Sequence, residues 1–386
     1  MAIGPGPARV VLLASLVALG EVARGGRGPA RDGTTQTSIP IRLHTGAGWG
    51  MPAADERAAY YLTKRHELVS VERTERRVRW ARALGTETAV PAGMTVSLAG
   101  PLVVAGDYDL FAFDRWSGDE RWRFSPAVGY GVGHYLGDTS RGQVLAGSPS
   151  SRAYAVDSLT GRLRWMSEPI GNRATVFPPV AGSGGVVAGY TDYSATPKRG
   201  GVVMLDAATG ALRWRAVFPP QTATAASGLA GGPVVVADLV LAAASDGAVY
   251  AFDAATGAIR WTLAAIHLPH AGPGPPGEDF RAMTVRGRML ILGSTTGSLS
   301  AIDLDTRQET WRFSSPRHGS IGFHIRSDDE VVYVPYLSGH LVAVSLATGR
   351  ELWRTGGPDL PFLWPPGFGP RGVFLTTESG LYAISR

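Results

Sequence analysis

The chain has 386 residues, of which 44% are hydrophobic, with 51 glycines and 27 prolines, a composition that favours one large all-β domain of many short strands and turns. It has no cysteine, which excludes disulfides, cysteine-ligated metals, thiol catalysis and a lipid-modified N-terminal cysteine. The net charge of +5 comes from residues 1–90, which hold 13 Lys and Arg against 8 Asp and Glu, whereas residues 91–386 hold 24 of each. A neutral main body argues against nucleic-acid binding. The basic hairpin that contains Arg73, Arg76, Arg77 and Arg79 is interpreted as a solvated surface, with a patch for an anionic partner as the alternative.

The first 36 residues have the pattern of an export signal followed by a tether. Arg9 precedes the apolar stretch Val10–Leu19, and Ala18-Leu19-Gly20 is an acceptable cleavage site, so residues 1–20 are predicted to be a signal peptide. An uncleaved anchor is the alternative, although the stretch is short for a bilayer span. Residues 21–36 are rich in Gly and Arg without apolar periodicity, which indicates a flexible linker before a domain at 37–386. We expect an exported protein that is periplasmic, extracellular or associated with the cell envelope.

The dominant feature of the remaining chain is a thirteen-residue phrase that occurs seven times and always ends in tryptophan. The copies align without gaps, and the intervals between successive tryptophans are 42, 43, 49, 47, 50 and 42 residues. This is the period of a propeller blade. The repeat tryptophans are Trp80, Trp122, Trp165, Trp214, Trp261, Trp311 and Trp353.

Each phrase predicts two strands joined by a tight turn. In Val249–Trp261, apolar residues alternate up to Asp253, whose carboxylate can accept backbone N–H groups of the turn, and Gly257 tolerates a positive φ. The terminal tryptophan has a large apolar ring to bury between neighbouring sheets. Two further apolar runs precede each phrase, which makes four strands per repeat. Arg76 and Arg307 replace the glycine in two copies, so those turns are expected to be strained or differently shaped.

The two ends of the chain are predicted to share one blade. Leu381–Arg386 starts an eighth phrase, whose tryptophan would fall beyond residue 386. The alternating segment Ser38–Gly46, with Leu43 or Ile41 at the tryptophan position, is expected to supply the missing outer strand. The prediction is an all-β fold, an eight-bladed β-propeller of four-stranded antiparallel blades. Seven blades is the alternative, if residues 38–66 form a cap.

Two innermost strands break the repeat in parallel. Blade three contains His134 and Asp138, and blade seven contains His324 and Asp328 at the same spacing. In an eight-bladed ring these blades face each other, so the residues are candidates for a channel-lining site that binds an anion or a metal. The alternative is that each residue makes its own structural hydrogen bonds.

Two insertions are candidates for contact with a partner, because insertions in repeat proteins tend to map to the functional face. One spans Tyr190–Gly201, and the other spans Ala264–Phe280, whose Glu278-Asp279 pair also makes a metal site conceivable. Surface decoration without a role is the alternative for both. The candidate contact residues are Tyr190, Tyr193, Lys198, Arg199, His267 and His270.

The repeated Ala-x-Asp-x-x-Thr-Gly-x-x-x-Trp phrase resembles the repeat of the pyrroloquinoline-quinone (PQQ)-type propellers over residues 38–386. One branch of that family comprises quinoprotein dehydrogenases, and the other comprises non-catalytic proteins like the outer-membrane assembly factor BamB. The dehydrogenase branch implies a vicinal Cys–Cys disulfide and a calcium site with a catalytic Asp. This chain has no cysteine and no acidic cluster at several inner strands, so the resemblance is closer to the BamB-like branch.

These observations predict a non-catalytic scaffold that binds a protein partner in the cell envelope. The sequence has no Gly-x-Ser-x-Gly, His-Glu-x-x-His or phosphate-binding loop, and we assign no catalytic, cofactor-binding or metal-ligating residue. We expect a monomer without a cofactor, without nucleic acid and without a transmembrane span after signal cleavage. The alternatives are a PQQ-dependent dehydrogenase or its accessory protein, and a ligand-sensing or polymer-binding module that uses the channel histidines.

Overall fold

The computed structural model describes residues 36–37, 40–85, 95–127, 131–132, 136–182, 184–194, 196–219, 227–245, 247–263, 280–315, 318–322, 324–356, 364–370 and 372–385. These residues form strands and turns and no α-helix. Within them, no helix has the length and apolar character needed to cross a membrane.

The strands of the first half build four blades. Two N-terminal strands come first, β1 (Gln36–Thr37) and β2 (Ile41–His44). Blade 1 contains β3 (Gly48–Ala54), β4 (Ala58–Thr63), β5 (Glu67–Glu72) and β6 (Val78–Ala83). Blade 2 contains β7 (Val96–Ala99), β8 (Leu102–Gly106), β9 (Leu110–Asp114) and β10 (Glu120–Phe124). Blade 3 contains β11 (Gln143–Ala146), β12 (Tyr154–Asp157) and β13 (Leu163–Met166), and Leu136 pairs with Ala146 on its inner side. Blade 4 contains β14 (Ala174–Val176), β15 (Val180–Ala181), β16 (Val186–Asp192), β17 (Arg199–Leu205) and β18 (Leu212–Val217).

The second half builds four more blades with the same strand order. Blade 5 contains β19 (Leu229–Val236), β20 (Leu239–Ala244), β21 (Val249–Asp253) and β22 (Ile259–Leu263). Blade 6 contains β23 (Phe280–Arg286), β24 (Met289–Ser294), β25 (Ser298–Asp303) and β26 (Glu309–Ser314). Blade 7 contains β27 (Arg326–Ser327), β28 (Val331–Pro335), β29 (His340–Ser345) and β30 (Glu351–Gly356). Blade 8 contains β31 (Gly367–Gly369), β32 (Gly372–Thr377) and β33 (Gly380–Ser385).

The core lies between the blades. Eight clusters of buried side chains each join two neighbouring blades, from the cluster of blades 1 and 2 around Tyr60 and Phe111 to the cluster of blades 8 and 1 around Phe374 and Tyr61. Both faces of every blade are therefore apolar, which is why the central strands are buried along nearly their whole length. The eight-bladed propeller predicted from the repeat is confirmed.

The predicted sharing of one blade by the two chain ends is also confirmed. Strand β2 pairs antiparallel with β33, so blade 8 has the order β2-β33-β32-β31 and the ring is closed by hydrogen bonds. Ile41 lies opposite Ala383, as Trp122 lies opposite Ala112 in blade 2, so Ile41 rather than Leu43 occupies the tryptophan position. The sequence placed Gln36 in the linker, but Gln36 pairs in parallel with Trp353 on the outer strand of blade 7.

Five of the repeat tryptophans pack against the following blade through the turn of the next phrase. The indole N–H groups of five described tryptophans donate to backbone carbonyls of that turn at 2.8–3.1 Å. The turn glycine lies against the indole ring, since a Cβ added to Gly118 would be 2.6 Å from Cδ2 of Trp80. The phrase therefore forms the contacts between blades as well as the outer hairpin of its own blade.

The arginines that replace the turn glycine adopt the same left-handed conformation, with φ of 55° for Arg76 and 60° for Arg307. The backbone hydrogen bond of the turn is kept, since Arg307 N donates to Asp303 O at 2.7 Å as Gly118 N donates to Asp114 O at 2.9 Å. Of the two outcomes predicted for these turns, strain is the one observed.

Candidate functional site

The inner strands of the blades converge around a central channel, and blade 7 places a charged side chain there. Arg326 lies on β27, the innermost strand of blade 7. Its Nη2 atom lies 2.7 Å from Sδ of Met51 on β3 of blade 1, and its Cζ atom lies 5.9 Å from the ring centre of Phe368 on β31 of blade 8. A side chain of blade 7 can reach blade 1 past blade 8 only where the inner strands come together.

The guanidinium of Arg326 lacks a counter-charge within the part of the chain that the structure describes. No carboxylate among these residues lies within 4.0 Å of it, and the thioether of Met51 is only a weak acceptor. The side chain is half-buried, and burial lowers its pKa from the ordinary value. A charge that is partly removed from water normally has a partner, so this arrangement is energetically unusual.

His324 lies two residues before Arg326, and its side chain is exposed. Burial, followed by the positive charge of Arg326, lowers the pKa of His324 to about 4. His324 is therefore neutral near pH 7 and presents one N–H donor and one acceptor.

The two aspartates that the sequence grouped with the channel histidines lie in turns at the ends of the inner strands. Asp328 accepts hydrogen bonds from the backbone N–H groups of Glu330 and Val331 at 3.0 and 2.8 Å and from the Tyr333 hydroxyl at 3.0 Å. Asp138 accepts the backbone N–H groups of Ser140 and Ala181 at 2.7 and 3.3 Å. Both carboxylates therefore accept backbone hydrogen bonds that stabilise these turns. His134 lies outside the described residues.

Arg326 was not among the site residues predicted from the sequence, although a signal was present. Side chains two residues apart on a strand point to the same side, so a channel position for His324 also implies one for Arg326. The His–Asp spacing of four residues does not include this position.

The connections between the second and third strands of all blades lie on one face of the ring, because the blades are antiparallel and repeat in the same direction. We call it the 2–3 face. The Tyr190–Gly201 insertion joins β16 to β17 and therefore lies there. Tyr193 is 50% exposed, with Nζ of Lys198 6.0 Å from its ring centre, and Leu337 of blade 7 is 43% exposed on the same face.

Tyr190 cannot contact a partner as the sequence suggested, because only 4% of it is exposed. It packs in the core between blades 3 and 4, and Cζ of Arg215 lies 5.8 Å from its ring centre. Arg199 is half-buried at the start of β17, opposite Asp192. Asp192 accepts the backbone N–H groups of Ser194 at 2.8 Å and Asn172 at 3.2 Å, which fixes the start of the insertion. His267 and His270 lie outside the described residues.

Polar side chains also join neighbouring blades on the 2–3 face. Nδ1 of His66 in blade 1 lies 2.9 Å from Oδ2 of the buried Asp107 in blade 2. The rings of His318 and His340 are 4.1 Å apart, and burial followed by the charge of Arg354 lowers the pKa of His340. Among the residues that the structure describes, no three His, Asp or Glu side chains are close enough together to hold a metal ion.

Comparisons with known proteins agree with the propeller fold. The family model described as outer membrane protein assembly factor BamB matches residues 29–176 and 173–312. A sequence comparison with curated proteins gives no significant match.

Solved structures share the fold at low identity. BamB from Moraxella catarrhalis has 16% identity and a TM-score of 0.64, covering 91% of this chain and 97% of its own. The computationally designed Ika8 protein has 16% identity and a TM-score of 0.68, covering 92% of this chain and 99% of its own. Quinohemoprotein alcohol dehydrogenase from Comamonas testosteroni has 12% identity and a TM-score of 0.63, covering 90% of this chain and 76% of its own.

Proposed function

Because the chain belongs to the PQQ-like propeller family described as outer membrane protein assembly factor BamB, we propose that it is an exported, non-catalytic scaffold that binds a protein partner in the cell envelope. The observation that carries the proposal is the 2–3 face, where an insertion of blade 4 presents the exposed Tyr193 beside Lys198. Tyrosines of this kind are enriched at protein interfaces, since a rigid ring contributes contact area at little entropic cost.

The proposed binding mechanism is docking onto a preformed surface. The blades beneath the loops are joined by eight apolar clusters, so the loops are held on a rigid ring. Hydrogen bonds to Asp192 further fix the base of the insertion. A surface that is already ordered loses little conformational entropy on binding, and this favours affinity.

The non-catalytic part of the proposal is supported by the structural contacts that the polar residues of the repeat make. Carboxylates such as Asp157, Asp206 and Asp253 are hydrogen-bonded to their own turns and paired with arginines. They occupy structural positions on the outer hairpins, away from the channel. The likeness to a quinohemoprotein dehydrogenase is a likeness of fold at 12% identity.

The partner face is tested by site-specific photocrosslinking in the cells that produce the protein. A photoreactive amino acid at position 193 should give a discrete crosslinked protein, identified by mass spectrometry. The matched control is position 159, because Leu159 is 59% exposed in a hairpin turn on the opposite face. Crosslinks from 159 alone, or from neither position, would contradict a partner on the 2–3 face.

A separate experiment addresses catalysis. Absorbance titration with PQQ and calcium, followed by alcohol and sugar oxidation assays, should show no saturable quinone binding and no turnover. Turnover above that of free quinone would overturn the non-catalytic assignment, whatever the crosslinking result.

A further inference from the structure

The channel wall of blade 7 contains a positive charge that the protein's own described residues leave unmatched. Arg326 has five N–H donors in a planar fork. Its described contacts are the sulfur of Met51 and the ring of Phe368. Neither contact is an anion, and both groups belong to blades other than its own.

The elements around this guanidinium offer no carboxylate in the described residues. Strand β31 contributes Gly367, Phe368 and Gly369, and β3 contributes only uncharged residues. On blade 7 itself, Asp328 is occupied by the turn N–H groups and the Tyr333 hydroxyl. The neighbouring Asp329 pairs with Arg286, with its Oδ1 atom 2.7 Å from Nη2 of that arginine.

We propose that Arg326 and His324 form a binding site for a small oxyanion, a carboxylate or a phosphate, in the central channel between blades 7, 8 and 1. The site goes beyond the scaffold function and does not depend on it. The guanidinium fork matches the two oxygens of a carboxylate or phosphate in a bidentate geometry. His324 supplies a second donor from the same wall.

The site favours a small anion over a macromolecule because of its position. Arg326 lies on an innermost strand, and the exposed His324 lies two residues before it on the same inner segment of blade 7. Phe368 and Met51 line the same place with apolar atoms, which lowers the local dielectric and strengthens a charge-assisted hydrogen bond.

Isothermal titration of the full-length protein with inorganic phosphate, and separately with succinate, tests the proposal at low ionic strength and neutral pH. One saturable site per chain is expected for at least one probe, and the preferred probe tells a phosphate from a carboxylate ligand. R326Q, which removes the charge but keeps a long polar side chain, should weaken binding at least tenfold. R312Q is the matched control, because Arg312 pairs with Glu309 on the outer strand of blade 6 and should leave binding unchanged.

A second measurement uses the wild-type protein, in case R326Q does not fold. Histidine labelled with ¹³C at Cε1 is followed by NMR, with the His324 resonance assigned by its absence in H324N. Saturating anion should shift this resonance and raise the pKa of His324 by at least about one unit, because a bound negative charge stabilises the imidazolium. The absence of saturable binding of both probes, equal binding by R326Q, or an unperturbed His324 resonance at saturation would overturn the proposal.

Discussion

The glycine of an outer turn has two separate tasks, and the structure allows their contributions to stability to be measured separately. Gly161 has φ of 71°, in the left-handed region that side chains disfavour. Its Cα also lies against the preceding tryptophan, since an added Cβ would be 2.7 Å from Cβ and Cγ of Trp122. Gly100 has φ of 58° but no atom within 4 Å of its added Cβ.

We therefore expect G161A to destabilise the protein more than G100A. Gly100→Ala should cost about 1–2 kcal/mol, the strain of a left-handed residue. Gly161→Ala should cost a further ~1–3 kcal/mol, because the methyl group overlaps the indole ring and forces the blades apart. Urea denaturation of both variants measures the difference. Equal losses would mean that the turn and the tryptophan are not closely packed.

The outer hairpin shows how one carboxylate organises a whole element. Oδ1 of Asp253 accepts the backbone N–H groups of Ala255 and Thr256 at 3.0 and 2.8 Å and the Thr256 hydroxyl at 2.9 Å. Oδ2 pairs with Arg260 on the returning strand. The bond from Arg260, followed by those from Thr256, lowers the pKa of Asp253 to about 2. Arg213 and Thr209 lower the pKa of Asp206 to about 2 in the same way.

Acid should therefore loosen these hairpins in a defined pH range. A carboxyl group whose pKa is lower in the folded state stabilises the fold above its ordinary pKa of 3.8 and loses that contribution as the pH falls through its folded value. The urea midpoint should drop between about pH 4 and about pH 2. The drop should be shallower in D157N/D206N/D253N, whose amides keep the turn acceptors but do not titrate. If the urea midpoint fell equally steeply with pH in the wild type and in the triple variant, these three carboxylates would not be the source of the acid sensitivity.

At the level of elements, sequence reasoning succeeded where a pattern repeats. The alternation before Asp253 and the Asp-x-x-Thr-Gly turn predicted β21, β22 and the bonds between them. It did not predict β1, because Gln36 and Thr37 carry no apolar alternation that would mark a strand. It placed Tyr190 at the rim, although the residue still belongs to the buried part of β16.

At the level of the whole molecule, the sequence predicted the ring and left the site open for a physical reason. Blade period and apolar pattern fix the eight interfaces, and the truncated phrase at Leu381 required an outer strand from elsewhere in the chain. The channel site combines Arg326, Phe368 and Met51 from three blades. The spacing of residues within one repeat does not predict that these three side chains lie close together, because their contact depends on how the closed ring brings the inner strands together.

The interface that closes the ring differs from the others, because strand β2 carries Ile41 where other blades carry tryptophan. A cleft of about 290 Å³ lies there, lined by residues that include Ile41, Leu43, Arg76 and Phe374. Arg73 holds the same interface, with its guanidinium 2.7 Å from both Asp55 O and Pro370 O. At the matching turn of blade 2, a Cβ added to Gly118 would be 2.6 Å from Cδ2 of Trp80, so a side chain at position 76 crowds the place of an indole from position 41. Blade 6 carries both residue types, since Arg307 follows Trp261.

Introducing a tryptophan at position 41 together with a glycine at position 76 should rebuild the tryptophan contact and strengthen the closure of the ring. I41W alone is expected to stabilise the protein less than I41W combined with R76G, because its indole has to shift away from the Cβ of Arg76. R76G alone relieves the left-handed strain of about 1 kcal/mol. The double variant should be more stable than the sum of the single effects by about 1–2 kcal/mol, since only then can the indole lie on the turn and reach the carbonyl of Arg73. Urea denaturation of the four proteins gives this coupling.

I41W combined with R307G serves as the control, because Arg307 belongs to a distant blade and should show no coupling. A coupling near zero for I41W with R76G would mean that the closing blade is held by Arg73 and the β2–β33 ladder, independently of the contact that joins the other blades.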